Sequence, residues 1–489
     1  MVCEVLSKIA WLSSVVHTGQ LGFSHGLAGT YWHMAGSLWP LFLYAILSTE
    51  IREKFPHAAS LVDLLGLRWG NSAHKIFLTI GLLSSLLNCI VLISSVSLLV
   101  GTLTGIPSLA VALIFSTTTV LITAQCGITG VYIISCFNVA LTVTLLWIAL
   151  SKVFVGPSEI GSIDAMYQLL NVASAKVQGV PDDVDLADPW GYWSVIRHPG
   201  ANLLGNHSIP PNKTRPRSFS VSHISSSLEL RHGQFLVFLP LTDQRCTALC
   251  SGAAMSLVGV GRIVASQTLF ATIQGSPVKQ CQNVITLAAL SALAVPLCLG
   301  ISLGMGARAL DIPISRWEAE NGLVSSAVAV HFFGRTGAWF AMLQACTSIA
   351  ATASAELIGF AVTLNRDLYV RYIHAEASMQ DQSTAAMRGV WGCGFCVAVI
   401  SSFMIYANAS QNLVFYFAGI LMNACVVPLI IAVTTQRNCP GAVVVGTVMG
   451  AVGGLLAWGI ASVGLEVSAT SDVAVTPLNF TPAMALLLL

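Results

Sequence analysis

Polar side chains inside an apolar stretch are the residues of this sequence that could do chemistry. Residues 335–361 are apolar overall but contain the hydroxyl residues Thr347, Ser348, Thr352 and Ser354 and the carboxylate Glu356. Hydroxyl and carbonyl oxygens can replace the water around a small cation, so the stretch indicates an ion site. Its small residues, Ala351 among them, would also let two helices pack closely, which is the alternative interpretation.

Glu356 favours the ion site. A carboxylate at membrane depth is costly, and it usually faces a partner, a water-filled cavity or a coupling ion. Arg366 follows Glu356 by ten residues, so the carboxylate could instead lie near the end of a helix.

A second polar interruption lies near the start of the chain. Residues 17–26 include His17, Gln20, His25 and three glycines. A discontinuous helix leaves backbone N–H and C=O groups free, and such breaks form the midplane binding sites of secondary transporters. A loop at the outer surface is the alternative.

Catalytic and metal-binding motifs are missing from the sequence. It contains no GxSxG, no HExxH, no phosphate-binding GxxxxGK[ST] and no paired carboxylates at helical spacing inside an apolar run. The 13 cysteines, including the pair Cys393 and Cys396, lie mostly in apolar runs and read as small buried residues. We therefore expect neither an enzyme nor a cofactor.

The elements that would position these polar residues are membrane helices. Hydrophobic residues make up 55% of the chain and charged residues 9%, whereas a soluble protein has about 25% charged residues. No Asp, Glu, Lys or Arg occurs between Lys75 and Lys152, and one crossing needs roughly 20 apolar residues. Repeated gaps of this kind predict an all-α, multi-pass protein of the lipid bilayer and exclude a single anchor, a cleavable leader and an outer-membrane barrel. A net charge of +1 gives no reason to expect nucleic acid as a partner.

The spans and the loops between them predict four regions. Residues 1–155 hold the first five spans, 156–232 form a long polar and extracellular loop, 233–464 hold the remaining spans, and 465–489 are a C-terminal tail. Ten or eleven spans are expected, at about 9–26, 31–49, 76–104, 107–125, 128–154, 233–272, 283–306, 335–361, 387–407, 411–434 and 440–464.

Basic residues in the short loops predict the orientation. Those near the ends of predicted spans fall on one side, which we assign as cytoplasmic: Arg52, Lys54, Arg68, Lys75, Arg366, Arg371, Arg388 and Arg437. The long loop, with glycosylation sequons at Asn206 and Asn212, then lies outside.

Several short stretches resemble the urea-transporting branch of the sodium:solute symporter family. They read Tyr-Trp-His-Met-Ala-Gly at 31–36, Ser-Thr-Glu-Ile-Arg at 48–52, Ser-Ala-Glu-Leu-Ile at 354–358, Asp-Leu-Tyr at 367–369 and Tyr-Phe-Ala-Gly-Ile-Leu at 416–421. The resemblance covers about 10–205 and 264–464. It implies a leucine-transporter-like fold of two inverted five-helix repeats, and import of urea or a related small solute across the plasma membrane, coupled to sodium or a proton.

The same resemblance implies which residues form the site. A sodium ion would be held by backbone oxygens at Val16 and Gly19 and by residues of a later helix, namely Ser348, Ala351 and Thr352, with Ser354 close by. Proton coupling would instead use Glu356 or His17, and Gln20 is a further candidate for coupling or for contact with the substrate. No other cofactor and no obligate protein partner is implied.

The sequence departs from the family pattern in three places. The helix that precedes the first repeat and the last spans of the family are missing, so the chain is expected to be truncated at both ends. Residues 206–263 do not match, and the sixth core helix of the fold is not recognisable there. Two other functions therefore stay open: a symporter for another small solute, and a transport-inactive or receptor-like membrane protein.

Overall fold

The described part of the chain is helical throughout. The computed structural model describes residues 2–9, 12–155, 159–178, 247–275, 277–314, 318–319, 322–407, 411–435 and 439–468. Within these ranges eight helices are long and apolar enough to cross a bilayer, or nine if the bent pair Met255–Val264 and Gln267–Gln274 is one span. The predicted all-α, multi-pass membrane architecture is thereby confirmed.

The first half contains five helices, two of which are too long for one crossing. They are α1 (Val2–Ile9), α2 (Leu12–Lys54), α3 (Leu61–Trp69), α4 (Asn71–Thr104) and α5 (Ser108–Phe154). At 1.5 Å per residue, α2 and α5 would each extend about 65–70 Å, twice the hydrocarbon thickness. Each bends at a glycine with positive φ, Gly26 at 62° and Gly127 at 55°, a conformation that other residues rarely adopt. The half therefore has five transmembrane segments, at 2–25, 27–54, 71–104, 108–126 and 128–154.

The second half begins after α6 (Ile163–Gln178). Helices α7 (Thr247–Val264) and α8 (Gln267–Gln274) form one segment with a 49° bend. Helix α9 (Val278–Leu299) continues through a π-helical turn, Gly300–Met305, to Ala309. The remaining helices are α10 (Val324–Phe333), α11 (Arg335–Thr363, continued by π-helical Leu364–Ile373), α12 (Met379–Tyr406), α13 (Gln411–Asn423), α14 (Val426–Thr434) and α15 (Pro440–Ser468).

The two halves have the same order of elements. The first half starts with α1 and the first part of α2, and the second half starts with the bent pair α7 and α8. Each has a short helix between its second and third segments, α3 in the first half and α10 in the second. A set of five crossings begins and ends on opposite sides of the membrane, so the second set is inverted relative to the first.

Packing divides the described helices into two main groups. Helix α2 packs most extensively on α7 and α9, whereas α11 packs most extensively on α5 and α4. One apolar core lies among α2, α3, α4, α7 to α9, α13 and α14, and a second lies among α4, α5, α11 and α12. Helix α4 contributes to both and joins the two groups.

A buried polar group fixes three helix ends near α3. Asp367 accepts a hydrogen bond from the Ser60 hydroxyl at 2.6 Å and lies 3.3 Å from Nε2 of His74. Nδ1 of His74 lies 2.9 Å from the Tyr372 hydroxyl. Ser60 also caps α3, because its Oγ accepts from the backbone N–H of Asp63 at 2.8 Å. The end of α11 is thus tied to the starts of α3 and α4.

Residues 17–25 of the polar stretch are helical, and the backbone departs from helical geometry at the last residue of the stretch, Gly26. The glycines of the stretch serve close packing: a Cβ atom on Gly304 of the π-helical turn would collide with the carbonyl oxygen of Gly19. Gly19 and Gly22 allow the backbones of α2 and the π-helical turn to approach closely, so these two glycines do not mark a break in the helix.

Two more expectations differ from the structure. Helix α7 occupies part of residues 206–263, where no core helix was recognised, and α6 lies inside the stretch expected to be a polar loop. The sequons at Asn206 and Asn212 and the basic Arg437 lie outside the described residues, as do residues 469–489 of the tail.

Candidate functional site

Helix α1 lies beside the bend between α7 and α8. Lys8 of α1 donates a hydrogen bond from Nζ to the backbone carbonyl of Thr268 at 3.2 Å. Thr268 lies in the first turn of α8, and Ser266 caps that helix by accepting from the N–H of Leu269 at 3.2 Å. Helix α1 therefore contacts the start of α8, where free backbone N–H groups and the positive end of the helix dipole concentrate.

Ser348 belongs to a buried hydrogen-bonded cluster between α1, α5 and α11. Oδ1 of Asn138 accepts from Ser348 Oγ at 2.9 Å and from Thr347 Oγ1 at 3.1 Å, while its Nδ2 donates to Ser7 Oγ at 3.0 Å. Nε2 of Gln344 donates to Thr142 Oγ1 at 2.6 Å and to Ser348 Oγ at 3.1 Å. Oε1 of Gln344 has no hydrogen-bond partner among the described residues. This cluster offers a solute an unused amide oxygen in an otherwise satisfied polar setting.

The other candidate ion ligands of α11 are buried. Thr352 Oγ1 donates to the carbonyl of Ser348 at 2.6 Å, and Ser354 Oγ has no partner among the described residues. Ala351, which lies between Ser348 and Thr352 in the sequence, is also buried and adds no side-chain oxygen. Ser348, Ala351, Thr352 and Ser354 therefore remain candidates that share one helix.

Val16 and Gly19, the candidate ligands of the first segment, lie in the helical part of α2 after its start at Leu12. Gly19 packs against Ser325 of α10 and against the π-helical turn after α9, whereas Ser348 faces α5 and α1. The structure therefore does not bring Gly19 into the Ser348 cluster. The six-residue sodium site stays a prediction.

The coupling candidates occupy separate places. His17 stacks on His33 with ring centroids 5.6 Å apart, and His33 is buried with Nδ1 unpartnered among the described residues. Gln20 is buried on the same half of α2. Glu356 lies next to the α7–α8 bend instead, where its Oε1 accepts from the Thr268 hydroxyl at 3.3 Å.

Charged residues lie around α1 and the bend between α7 and α8. The sequence interpretation did not single them out. Lys8 forms an ion pair with Glu4 at 2.6 Å, and the two side chains are only 9% and 6% exposed. Arg262 of α7 interacts electrostatically with Glu356, and its guanidinium lies 4.1 Å from the centroid of the Phe415 ring. Two acidic and two basic groups therefore balance one another inside the membrane.

A cavity of about 610 Å³ opens beside this region. Its polar lining residues are His57, Gln274, Asn365 and Arg366, together with Thr123 and Ser383, and the rest of the lining is mostly apolar. The lining comes from the loop before α3, the bend of α5, the end of α8, α11 and the start of α12. Arg366 belongs to the basic residues that predict the cytoplasmic side, so the cavity is expected to open there.

Metal-site geometry of the usual kind does not occur in the ranges that the structure describes. No group of three or more His, Cys, Asp or Glu side chains there could hold a metal ion.

Known proteins resemble the chain in sequence over nearly all of its length, although no protein-family model matches it. The urea-proton symporter DUR3 of Oryza sativa subsp. japonica is 23% identical over 456 residues, which cover 93% of this chain and 58% of that protein. Probable urea active transporter 1 of Schizosaccharomyces pombe is 21% identical, with 93% of this chain and 62% of that protein covered. The urea active transporter of Saccharomyces cerevisiae is 20% identical, with coverages of 96% and 58%. The chain thus spans about three fifths of the length of these relatives.

A solved structure is similar in fold. It is a Na⁺-coupled sialic acid symporter in a substrate-bound, outward-open state, and it matches with a TM-score of 0.56 at 13% identity over 99% of this chain and 88% of that one. At this identity the match concerns the fold alone. The chain therefore has the leucine-transporter-like fold that the resemblance implied, and its curated homologues are urea active transporters, not enzymes.

Proposed function

We propose that this chain is a cation-coupled symporter that imports urea or a related small polar solute. One observation carries this assignment above all: the first segment meets the bent segment of the second half at Lys8 and Thr268, beside buried polar side chains. Alternating access in such folds works around a central site at the interruptions. Homologues that share nearly the whole chain and are named as urea transporters support the choice of solute.

The solute site would use unpartnered polar atoms of α11. Urea presents one carbonyl acceptor and four N–H donors, so it needs several oxygen atoms and at least one donor. Oε1 of Gln344 and Oγ of Ser354 are buried and have no partner among the described residues, so each could accept from a solute. They are ten residues apart on α11, about 15 Å, so they would serve two different positions of the solute. Leaving such atoms unpaired is costly, and this cost is relieved when a solute binds.

The coupling cation would be a proton or sodium. The hydroxyls of Ser348 and Thr352 are the best-placed candidates for a sodium ion, with Ala351, Ser354, Val16 and Gly19 as further members of the proposed set. A proton would use a titratable group, with Glu356 and His17 proposed first. The homologue DUR3 is named a urea-proton symporter, and the protein of similar structure is named a Na⁺-coupled symporter. Either cation is therefore compatible with the fold.

In cells, the chain would lie in the plasma membrane. The basic residues near Arg52 and Arg366 would face the cytoplasm, and the cavity beside Arg366 would be the route by which the solute leaves. The region around residues 156–232 would then lie outside.

Uptake of radiolabelled urea tests the assignment. The chain would be produced in cells without a urea carrier, and surface labelling would verify that it reaches the membrane. We expect saturable uptake that collapses when the cation gradients are dissipated. Uptake at background level, with the protein at the surface, would contradict the proposal and favour a receptor-like role. Uptake of a different small solute would retain the transporter and reject urea.

Thr352→Val separates the two cations. The change removes one hydroxyl with little change of volume, and valine is tolerated in a membrane helix. If sodium binds at Ser348 and Thr352, sodium-stimulated uptake should fall at least tenfold, because one ligand oxygen is lost. Unchanged sodium stimulation would remove this site. Thr144→Ala on α5 is the matched control, since the exposed Thr144 hydroxyl bonds only to the carbonyl of Ala140 on its own helix.

A further inference from the structure

Arg262 of α7 is a cation inside the helix bundle with an unused hydrogen-bond donor. Its guanidinium lies 4.1 Å from the centroid of the Phe415 ring on α13, so a cation–π contact helps to hold it in place. Nη1 of Arg262 is buried and has no hydrogen-bond partner among the described residues. An unpaired donor of a buried charged group is costly, so this nitrogen is suited to bind a polar ligand.

Asn88 of α4 offers the complementary group. Its side chain is buried and is hydrogen-bonded to the carboxylate of Glu356. A carboxylate accepts hydrogen bonds, so Asn88 donates through Nδ2, and the Thr268 hydroxyl donates to Oε1 of the same carboxylate at 3.3 Å. Oδ1 of Asn88 has no partner in the described part of the chain. An unused acceptor therefore lies next to Glu356.

Arg262 and Glu356 attract each other without direct contact. The two groups interact electrostatically, but within the described ranges they form no ion pair, whereas Lys8 pairs directly with Glu4 at 2.6 Å. A separated cation and anion in surroundings of low polarity favour a dipole placed between them. A neutral solute can act as that dipole without adding a net charge to the membrane interior.

We propose that Arg262 and Asn88 form a subsite that selects a neutral amide by both of its ends. The subsite rests on the proposed symport function and specifies the chemical class of the solute. The carbonyl oxygen of the solute accepts from Nη1 of Arg262, and an N–H group of the solute donates to Oδ1 of Asn88. Urea carries both groups, and so do acetamide and formamide.

The subsite draws on helices from both halves of the chain. Asn88 comes from α4 in the first half, whereas Arg262 lies in the last turn of α7 and Glu356 on α11 in the second half. Both unpartnered atoms are covered by neighbouring helices, so access to them requires the helix movements of alternating access. Gln344 and Ser354 of α11 would contact the solute at other points of its route.

The same geometry rejects solutes that lack one of the two groups. Guanidinium has donors only and a positive charge, so it offers Arg262 no acceptor and is repelled by it. Acetate has acceptors only, so it leaves Oδ1 of Asn88 unpaired and is repelled by Glu356. A site whose buried polar atoms stay unpaired with the wrong ligand discriminates strongly against that ligand.

Thermal unfolding of the purified full chain in detergent tests the subsite without transport. A ligand that binds only the folded protein raises the unfolding midpoint. We expect urea and acetamide, each at millimolar concentration, to raise the midpoint in a saturable way, and guanidinium and acetate at the same concentration to leave it unchanged. A midpoint that none of these solutes changes, or that the two ions raise as much as the amides do, would overturn the subsite.

Arg262→Lys tests the guanidinium while the positive charge near Glu356 is retained. Lysine lacks the planar fork of N–H groups, so the apparent affinity for acetamide should fall by about tenfold or more, because a hydrogen bond to a charged group contributes a factor of that size. Arg388→Lys on α12 is the matched control, since Arg388 is exposed. Equal affinities in these two variants would remove Arg262 from the site.

Phe415→Leu is a second variant, which retains Arg262 and removes the ring that holds its guanidinium. It should weaken acetamide binding in the same direction as Arg262→Lys, so the subsite can still be tested if the lysine variant does not fold. Acetamide binding as tight in Phe415→Leu as in Arg388→Lys would contradict the placement of the guanidinium.

Uptake separates failure of the subsite from failure of the proposed function. If the chain takes up urea with the same KM in the natural protein and in Arg262→Lys, the symporter stands and the subsite is wrong. If acetamide raises the midpoint of the natural chain but not of Arg262→Lys, and no urea enters, the subsite stands and urea import is wrong. In an active chain, excess acetamide should compete with labelled urea, whereas guanidinium should not.

Discussion

Asn138 illustrates how one side chain can organise several predicted ones. Its amide connects Ser7 on α1 with Thr347 and Ser348 on α11, and α5, which carries it, supplies Thr142 to the same cluster. Both ends of the amide are used, because the oxygen accepts and the nitrogen donates. Hydrogen bonds at both ends of a buried amide favour one arrangement of the helices that it joins.

Asn138→Ala should destabilise the protein, since it leaves buried hydroxyls of Ser7, Thr347 and Ser348 without this partner. We expect a loss of about 2 kcal/mol or more, seen as a lower thermal-unfolding midpoint in detergent at a fixed heating rate. Thr144→Ala on the same helix should leave the midpoint unchanged, because its exposed hydroxyl bonds only within the helix. Equal midpoints for the two variants would show that the cluster contributes nothing.

At this scale the sequence predicted which residue types matter but not their partners. Ser348 and Glu356 are conspicuous because polar groups are rare in an apolar run. Asn138 and Gln344 are equally polar and were passed over, since nothing local connects residues 206 positions apart. Glu4 and Lys8 did not stand out in the sequence, although their spacing of four residues fits an ion pair on one helix face.

Helix α2 and the turn after α9 show what small residues do at the scale of elements. Gly22 of α2 lies against the backbone of Gly300, and Gly304 lies against the backbone of Gly19, so a Cβ atom on Gly22 or Gly304 would collide with backbone. Close backbone approach of this kind replaces side-chain interdigitation and fixes the separation of the two helices.

Substitution of Gly304 by alanine should therefore be harmful. Its Cβ would meet the carbonyl oxygen of Gly19 and the Cα of Gly22, so we expect a destabilisation of about 1–3 kcal/mol from overpacking. Gly392→Ala on α12 is the control, because no atom lies within 4 Å of that Cβ position. There alanine should stabilise the helix by about 0.5–1 kcal/mol. Thermal midpoints that shift in the same direction would contradict the close contact.

Helix α1 is expected to move during transport, and a cross-link can hold it. The thiols of Cys3 on α1 and Cys136 on α5 are hydrogen-bonded to each other. Oxidation of the two thiols to a disulfide by diamide should stop solute uptake, and dithiothreitol should restore it. Cys136→Ser should be insensitive to diamide. Complete cross-linking, measured by mass spectrometry, with undiminished uptake would show that α1 does not need to leave α5.

Helix boundaries in this chain were predictable where apolar runs end at charges or glycines, and misplaced where glycine serves packing. In the stretch at 17–26, Gly19 and Gly22 serve packing and the helix continues to the kink at Gly26. Helix α7 lies within the span expected at 233–272, although the sixth core helix of the family was not recognisable in residues 206–263.

At the scale of the whole molecule, the repeat explains why the site lies where it does. Two inverted sets of five segments bring their first members together, where α1 meets α8. The fold was predictable because charge-free gaps and a scattered family resemblance both depend on the entire chain. The solute was not, because its recognition depends on a few polar atoms whose partners come from distant helices.

Uptake of labelled urea in cells that lack their own urea carrier tests the central claim most directly. It should be measured with the proton and sodium gradients imposed separately, and with surface expression quantified. We expect saturable uptake that is driven by at least one of the two imposed gradients. A correctly inserted protein that takes up no urea under either gradient would contradict the account.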